Sequence, residues 1–178
     1  MIQIQILPIL KDNYAYLLIA ADQTALVIDP GEATPILKVL QSQNLTLTHI
    51  LNTHRHGDHC AGNAELKQHT GARVLAPAGE IDKIPVVDKA VYEGDIISFN
   101  GINIRAIATP GHTLGALCYY SAEAQALFSG DTLFSLGCGR LFEGTAAQLW
   151  QSFQKIMALP DETRIYPGHE YTKDNGAF

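Results

Sequence analysis

Thr53-His54-Arg55-His56-Gly57-Asp58-His59 places four side chains able to hold a metal within six residues. The segment follows His49–Leu51, which reads as a strand, and Gly57 marks it as a loop. A loop at a strand end can splay such side chains around one centre, free of helical register. Crowded imidazoles repel one another when protonated, so the arrangement gains little unless a cation binds. The bland alternative is a solvated polar loop whose histidines only hydrogen-bond. Three further residues occupy the same kind of place. His112 in Thr109-Pro110-Gly111-His112-Thr113 follows a strand ending at Ala108; Asp131 in Ser129-Gly130-Asp131-Thr132 and His169 in Pro167-Gly168-His169-Glu170 follow two others. Each comes directly after a glycine, which lets the backbone turn sharply before the side chain projects. Taken singly, each would more often be structural. Together they give five histidines and two aspartates at matching strand ends, where the ligands of such sheets gather.

Outward from these loops, the chain has the makings of one domain over residues 1–178. Hydrophobic residues make up 47% and charged residues 17%, which argues against disorder. The net charge is −6 with no Lys/Arg cluster, so no nucleic-acid partner is expected. The longest apolar run, Tyr14 to Ala21, is far short of the ~20 residues a membrane helix needs, and no membrane partner is expected either. The start, Met1-Ile-Gln-Ile-Gln-Ile, alternates like a strand and has no basic leader. Cys60, Cys118 and Cys138 are odd in number and widely spaced, which excludes a disulfide framework and fits a reducing cytoplasm.

Strands are expected over Ile2–Leu7, Tyr14–Ala20, Ala25–Ile28, 49–51, Leu117–Tyr120, Ala126–Ser129 and Arg164–Tyr166, with a hairpin turning at Asn100-Gly101. One helix is predicted to start at Thr34 as N-cap with Pro35 first, carry Ile36, Leu37 and Leu40 on its inner face, and end at a left-handed Asn44. A second runs near Ala61–His69 and closes at Gly71. A third opens with the capping box Thr145-x-x-Gln148 and places Leu149, Trp150, Phe153, Ile156 and Met157 on one side. The fold class is therefore α/β (α+β): a four-layer αββα sandwich of two mixed sheets flanked by helices.

The string Thr-His-x-His-x-Asp-His, then Gly-His, Gly-Asp and Gly-His, resembles the metallo-β-lactamase-fold superfamily. Gly137-Cys138-Gly139-Arg140-Leu141-Phe142-Glu143-Gly144-Thr145 and Gly168-His169-Glu170-Tyr171-Thr172 further resemble the glyoxalase II (hydroxyacylglutathione hydrolase) family. The resemblance implies two divalent ions. His54, His56 and His112 would hold one; Asp58, His59 and His169 would hold the other; Asp131 would bridge both. Imidazole and carboxylate ligands suit zinc first, with iron or manganese as alternatives. It also implies hydrolysis of a glutathione thioester, S-D-lactoylglutathione, to D-lactate and glutathione by a bridging hydroxide, with Asp58 and Asp131 as the catalytic carboxylates. Arg140 and Tyr171 would contact the glutathione portion, with Phe142 standing where relatives often carry tyrosine.

That family normally continues into a further helical domain, whereas this chain stops seven residues past Tyr171. Three other readings stay open: a persulfide dioxygenase with one iron, a lactonase or other ester hydrolase on the same site, and a non-catalytic metal-binding domain. Oligomeric state is left open. Cys60 and Cys138 read as small packed residues, and His49 and His69 lie outside the pattern, His69 serving the end of its helix.

Overall fold

The computed structural model describes residues 2–178, so Met1, the first residue of the expected domain, lies outside the described residues. Six strands form the first sheet: β1 (Gln3–Ile9), β2 (Asn13–Ile19), β3 (Thr24–Ile28), β4 (Thr46–Leu51), β5 (Arg73–Pro77) and β6 (Lys89–Val91), neighbours in that order. Five form the second: β7 (Ile96–Phe99), β8 (Ile102–Ala108), β9 (Leu117–Ser121), β10 (Ala126–Gly130) and β11 (Arg164–Pro167). The helices are α1 (Ala33–Ser42), α2 (Gly57–Cys60), α3 (Asn63–Thr70), α4 (Ala146–Met157) and α5 (Thr172–Gly176). Pairing is antiparallel from β1 to β3 and parallel from β3 to β6. In the second sheet only β10 and β11 run parallel. Both sheets are mixed, as expected.

Period-two alternation assigns each strand residue to a layer. Tyr16, Leu18, Leu26 and Ile28 of the first sheet meet Ile104, Tyr119 and Phe128 of the second in the central core. The intervening Ala15, Leu17, Ala25 and Val27 face the other way, onto Ile36 and Leu40 of α1 and Leu66 of α3. Strand β2 is thus buried on both faces, which is why its sequence is continuously apolar rather than alternating. On the far side Ile107, Cys118 and Leu127 pack against Ile156 and Phe153 of α4. Each fully buried Leu or Ile contributes about 1.5–3 kcal/mol through area removed from water.

Several local expectations hold. Asn44 (φ 54°) and Gly71 (φ 72°) are left-handed after α1 and α3, Asn100 (φ 41°) and Gly101 (φ 86°) form the hairpin turn, and Thr145 and Gln148 close a complete capping box. Others are corrected. Helix α1 begins at Ala33 with Glu32 at the N-cap, and Thr34 caps nothing. Pro35 is then the third helical residue, still within the first turn whose N–H groups have no intrahelical acceptor. The helix expected near Ala61–His69 is α3, which starts two residues later at Asn63 and closes at Gly71 as expected, with the separate turn α2 before it. Gly62 donates to the Pro30 carbonyl at 2.9 Å, and a Cβ there would meet that oxygen at 2.5 Å. Asn63 is held by Asn52. In α4, Trp150 (57% exposed) and Met157 (61%) stand on the flank, and Ser152 takes the buried place beside Leu149 and Ile156. At about 100° per residue, Trp150 and Met157 fall at the edge of the inward stripe, whereas Ser152 falls within it. Strands β5 and β6 and helix α5 had no sequence signal: Val74-Leu75-Ala76 is too short a run to read, and its strand exists through parallel pairing with β4.

Candidate active site

The segment after β4, the loop after β8, the end of β10 and the loop after β11 open on one edge of the sandwich, two sheets contributing to one cluster. Gly130, at φ 49°, makes the join possible: a Cβ there would run into the Thr53 side chain. Thr53 is anchored in turn, its N–H and hydroxyl donating to Asp29 at 2.7 and 2.6 Å. Asp58 and His59 lie on the single turn α2 rather than on a loop, so helical geometry sets their directions.

All seven side chains singled out in the sequence converge. His54 Nε2 lies 3.0 Å from His56 Nδ1, which lies 2.9 Å from His112 Nε2. Asp131 Oδ2 is 3.3 Å from His112 Nε2 and 3.4 Å from His169 Nε2, and Asp131 Oδ1 is 3.3 Å from His59 Nε2. Asp58 Oδ2 lies 3.3 Å from His169 Nε2 and 3.5 Å from His59 Nε2. Ligand atoms about 2.0–2.1 Å from a tetrahedral ion stand about 3.3–3.4 Å apart, so these spacings suit a shared cation. His54, His56, His112 and Asp131 form one such group; Asp58, His59 and His169 form a second.

The imidazole protons point away from the centre. His112 Nδ1 meets the Arg140 carbonyl at 2.7 Å, His59 Nδ1 meets Asp29 Oδ2 at 3.0 Å, and His169 Nδ1 meets Asp12 Oδ1 at 3.1 Å. These oxygens only accept, so Nδ1 donates in each. The Thr53 hydroxyl has given its proton to Asp29 and accepts from His54 Nδ1 at 3.0 Å. Four Nε2 atoms are thereby turned inward, to offer lone pairs once the rings are neutral, the arrangement that outer partners impose on metal-binding histidines. Asp131 Oδ1 is buried without a hydrogen-bond donor, and a cation would complete its coordination. Asp29 could form a third group with His54 and His59. Its oxygens are already taken by Thr53 and His59, which makes it a support.

Charge follows the same division. Burial, then the neighbouring His59, holds His54 well below the usual histidine range, and burial with His112 lowers His56. Asp58 is held low chiefly by its hydrogen bond with His169. Burial would raise Asp131, but contacts with His169 and His59 keep it ionised. Burial would likewise lower His59 and His169. The carboxylates around them win, pushing His59 up and His169 to about 10. Two dications entering this cluster would displace those protons.

A cavity of about 850 Å³ opens over the cluster, lined by Arg140, Phe142 and Tyr171 among others. Phe142 stands edge-on to His56 and His112, with centroids 5.4 and 5.3 Å away. Tyr171 stacks on His169 at 4.8 Å and 7°. The Arg140 guanidinium lies 5.8 Å from the Phe142 ring centre. The loop carrying these groups is tied down by Glu143, which accepts from Arg55 and, at 2.9 Å, from the Leu114 N–H. The expectation that Cys138 is a packed residue is corrected. Gly137 turns the chain at φ 88°, Gly139 packs against His112, and Cys138 between them faces outward along the cavity. Cys60 is buried as expected, with its thiol pushed up to about 11 by burial. His49 stays outside the cluster against Thr48, and His69 reaches the Glu65 carbonyl in the last turn of α3. Sequence reasoning missed Asp12, Asn13 and Asp29. The only trace was polar residues abutting apolar strands, which read equally well as turns.

The sequence pattern of the metallo-beta-lactamase superfamily matches residues 11–169. A hydroxyacylglutathione hydrolase of Pelagibacter ubique is 49% identical over 177 residues, 99% of this chain and 74% of the relative. One from Rhodospirillum rubrum is 50% identical over 171 residues, 96% of this chain and 67% of the relative. A third, from Rhizobium meliloti, is covered to 66% of its length, so this chain spans roughly two thirds to three quarters of these relatives. Among solved structures, ETHE1 from Myxococcus xanthus superposes with a TM-score of 0.84 at 32% identity, covering 95% of this chain and 76% of that one. TTHA1623 in a di-iron-bound form gives 0.78 at 30% identity, covering 94% and 92%.

Proposed function

The chain belongs to the metallo-beta-lactamase superfamily, within its hydroxyacylglutathione hydrolases, and on that footing we propose that it uses two divalent ions to hydrolyse S-2-hydroxyacylglutathione thioesters, S-D-lactoylglutathione foremost. A single metallo-β-lactamase-like domain over residues 1–178 carries the reaction. His54, His56 and His112 would hold one ion and Asp58, His59 and His169 the other, with Asp131 within reach of both groups. The observation that carries the reading is the buried Asp131 carboxylate, set between both groups with one oxygen lacking a donor. Zinc fits the donor set best, since neutral imidazoles dominate one half; iron also fits, and TTHA1623 at 30% identity carries two irons. The cytoplasm is the compartment proposed, consistent with three unpaired cysteines, one of them exposed.

Bound divalent ions lower the pKa of a coordinated water toward 7 and polarise an acyl carbonyl. The chain supplies the rest. Asp131 and Asp58 keep their negative charge at neutral pH and fix the centre's geometry. Arg140, at the cavity mouth, offers two parallel N–H donors to a glutathione carboxylate. The Tyr171 hydroxyl donates to the same portion while its ring braces His169. Phe142 covers the outer side of His56 and His112 and keeps water from that flank. A thiolate leaves without a strong general acid, so the carboxylates need only hold and orient.

Metal content of the purified chain, measured with turnover of lactoylglutathione and of a simple thioester lacking glutathione, tests the proposal. Two ions per chain and a clear preference for lactoylglutathione are expected. Equal rates on both substrates would remove the glutathione assignment. One tightly held iron with oxygen uptake on a persulfide would replace the reaction itself.

A further inference from the structure

The supports behind the two halves of the centre differ in origin. His54 and His112 are each backed from their own side of the seam, by Thr53 next in sequence and by the carbonyl of Arg140 in the segment after β10. The Asp58–His169 half is backed from the start of β2, in the first sheet, against a segment that follows β11 in the second. Tyr14 N–H donates to Gly168 O at 2.9 Å, Glu170 N–H donates to Asp12 O at 2.8 Å, and Asn13 bridges His169 as an antiparallel pair. The three side chains extend this staple. Tyr14 Oη donates to Glu170 at 2.9 Å, Asp12 accepts from His169 Nδ1, and Asn13 Nδ2 donates to Asp58 Oδ2 at 2.9 Å and to Asp58 O at 3.3 Å. Asn13 is 5% exposed, whereas the Asp58 side chain is 39% exposed. The carboxylate therefore has open solvent to turn into, and the buried amide opposes that turn.

Building on the two-ion reading, we propose that Asn13 is a positioning residue for the second ion alone, its amide holding the Asp58 carboxylate beside His169 across the seam between the sheets. The residue type fits the task. A primary amide donates without carrying charge: a carboxylate here would repel Asp58, and an ammonium would compete with the cation. Asp12 completes the device by fixing the His169 tautomer. Outer partners of this kind change metal affinity by about 10–100-fold when removed.

The test is a cobalt(II) titration of the metal-stripped full chain, followed by visible absorption and chelator competition. The unsubstituted chain is expected to bind two ions. Asn13→Ala, and the nearly isosteric Asn13→Asp, should keep the first affinity and weaken the second by about 10–100-fold, Asn13→Asp more severely. Tyr14→Phe cuts the same staple without touching Asp58 and should match the parent in both affinities. Loss of both affinities together, or an unchanged second affinity in Asn13→Asp, overturns the proposal. So does a second-ion loss in Tyr14→Phe as large as in Asn13→Ala, which would assign the effect to the staple as a whole. A single ion on the unsubstituted chain would instead overturn the two-ion reading beneath it, which makes the two failures distinguishable.

Discussion

Asp29→Asn is the most informative substitution outside the cluster. Asp29 is 2% exposed and accepts from three donors: Thr53 N–H, Thr53 hydroxyl and His59 Nδ1–H. Its φ of 51° is left-handed, a conformation asparagine tolerates as well as aspartate, so the backbone is undisturbed. The new NH₂ must face one of those donors whichever way the amide is turned. If it replaces Oδ1, the Thr53 N–H is orphaned. If it replaces Oδ2, the His59 Nδ1–H loses its carboxylate acceptor. Either outcome loses at least one hydrogen bond to a charged acceptor, about 1.5–3 kcal/mol, and leaves a buried donor unmade or His59 without its counter-charge. A destabilisation of about 3 kcal/mol is expected, equivalent to a Tm lowered by about 6–12 °C at this chain length. Urea denaturation of the metal-free protein measures it, and metal analysis of the loaded form reads the His59 effect. A stability within about 0.5 kcal/mol of the parent, with full metal content, would refute the assignment of Asp29 as the anchor joining Thr53 to His59.

Three further predictions follow from the same geometry. Asp131→Ala removes the carboxylate whose oxygens lie 3.3–3.4 Å from histidine nitrogens of both groups, so turnover is expected to be abolished and metal analysis should show that paired loading has gone. Arg140→Ala should mainly raise KM for lactoylglutathione, because the guanidinium stands at the cavity mouth and not at the reacting atoms; steady-state kinetics showing a collapse of kcat alone would contradict that. Loading the metal-free chain near neutral pH should release about two protons, since His169, at about 10, and His59, also raised, are protonated without metal and must deliver neutral nitrogens to it. Calorimetry in buffers of different ionisation enthalpy counts those protons. Release should fall as the starting pH rises through about 10, where His169 has already lost its proton.

The centre was legible because four of its seven side chains crowd into one short segment after β4 and the other three each follow a glycine at a strand end, so short-range signals and the long-range assembly agree. The alternation in β1, the hairpin at Asn100-Gly101 and the capping box at Thr145 are local in the same sense. What was not legible depends on pairing between distant segments. Nothing near Val74 announces a strand, because β5 is stabilised by β4 more than twenty residues earlier in the chain. The roles of Asp12, Asn13 and Asp29 depend on partners 24 to 157 residues away. Trp150 and Met157 misled because an apolar stripe can be wider than the surface that covers it, and neighbours decide which edge stays wet.

The seam at Gly130 and Thr53 has a mechanical consequence. Two sheets pressed together by apolar side chains can part by sliding or by opening like covers of a book, and the cluster lies on the edge where such an opening would begin. Cations gripped from both covers would act as a rivet across that edge. Occupancy would therefore damp the breathing of the interior as well as arm the chemistry, making the loaded protein a stiffer body than the same chain stripped bare.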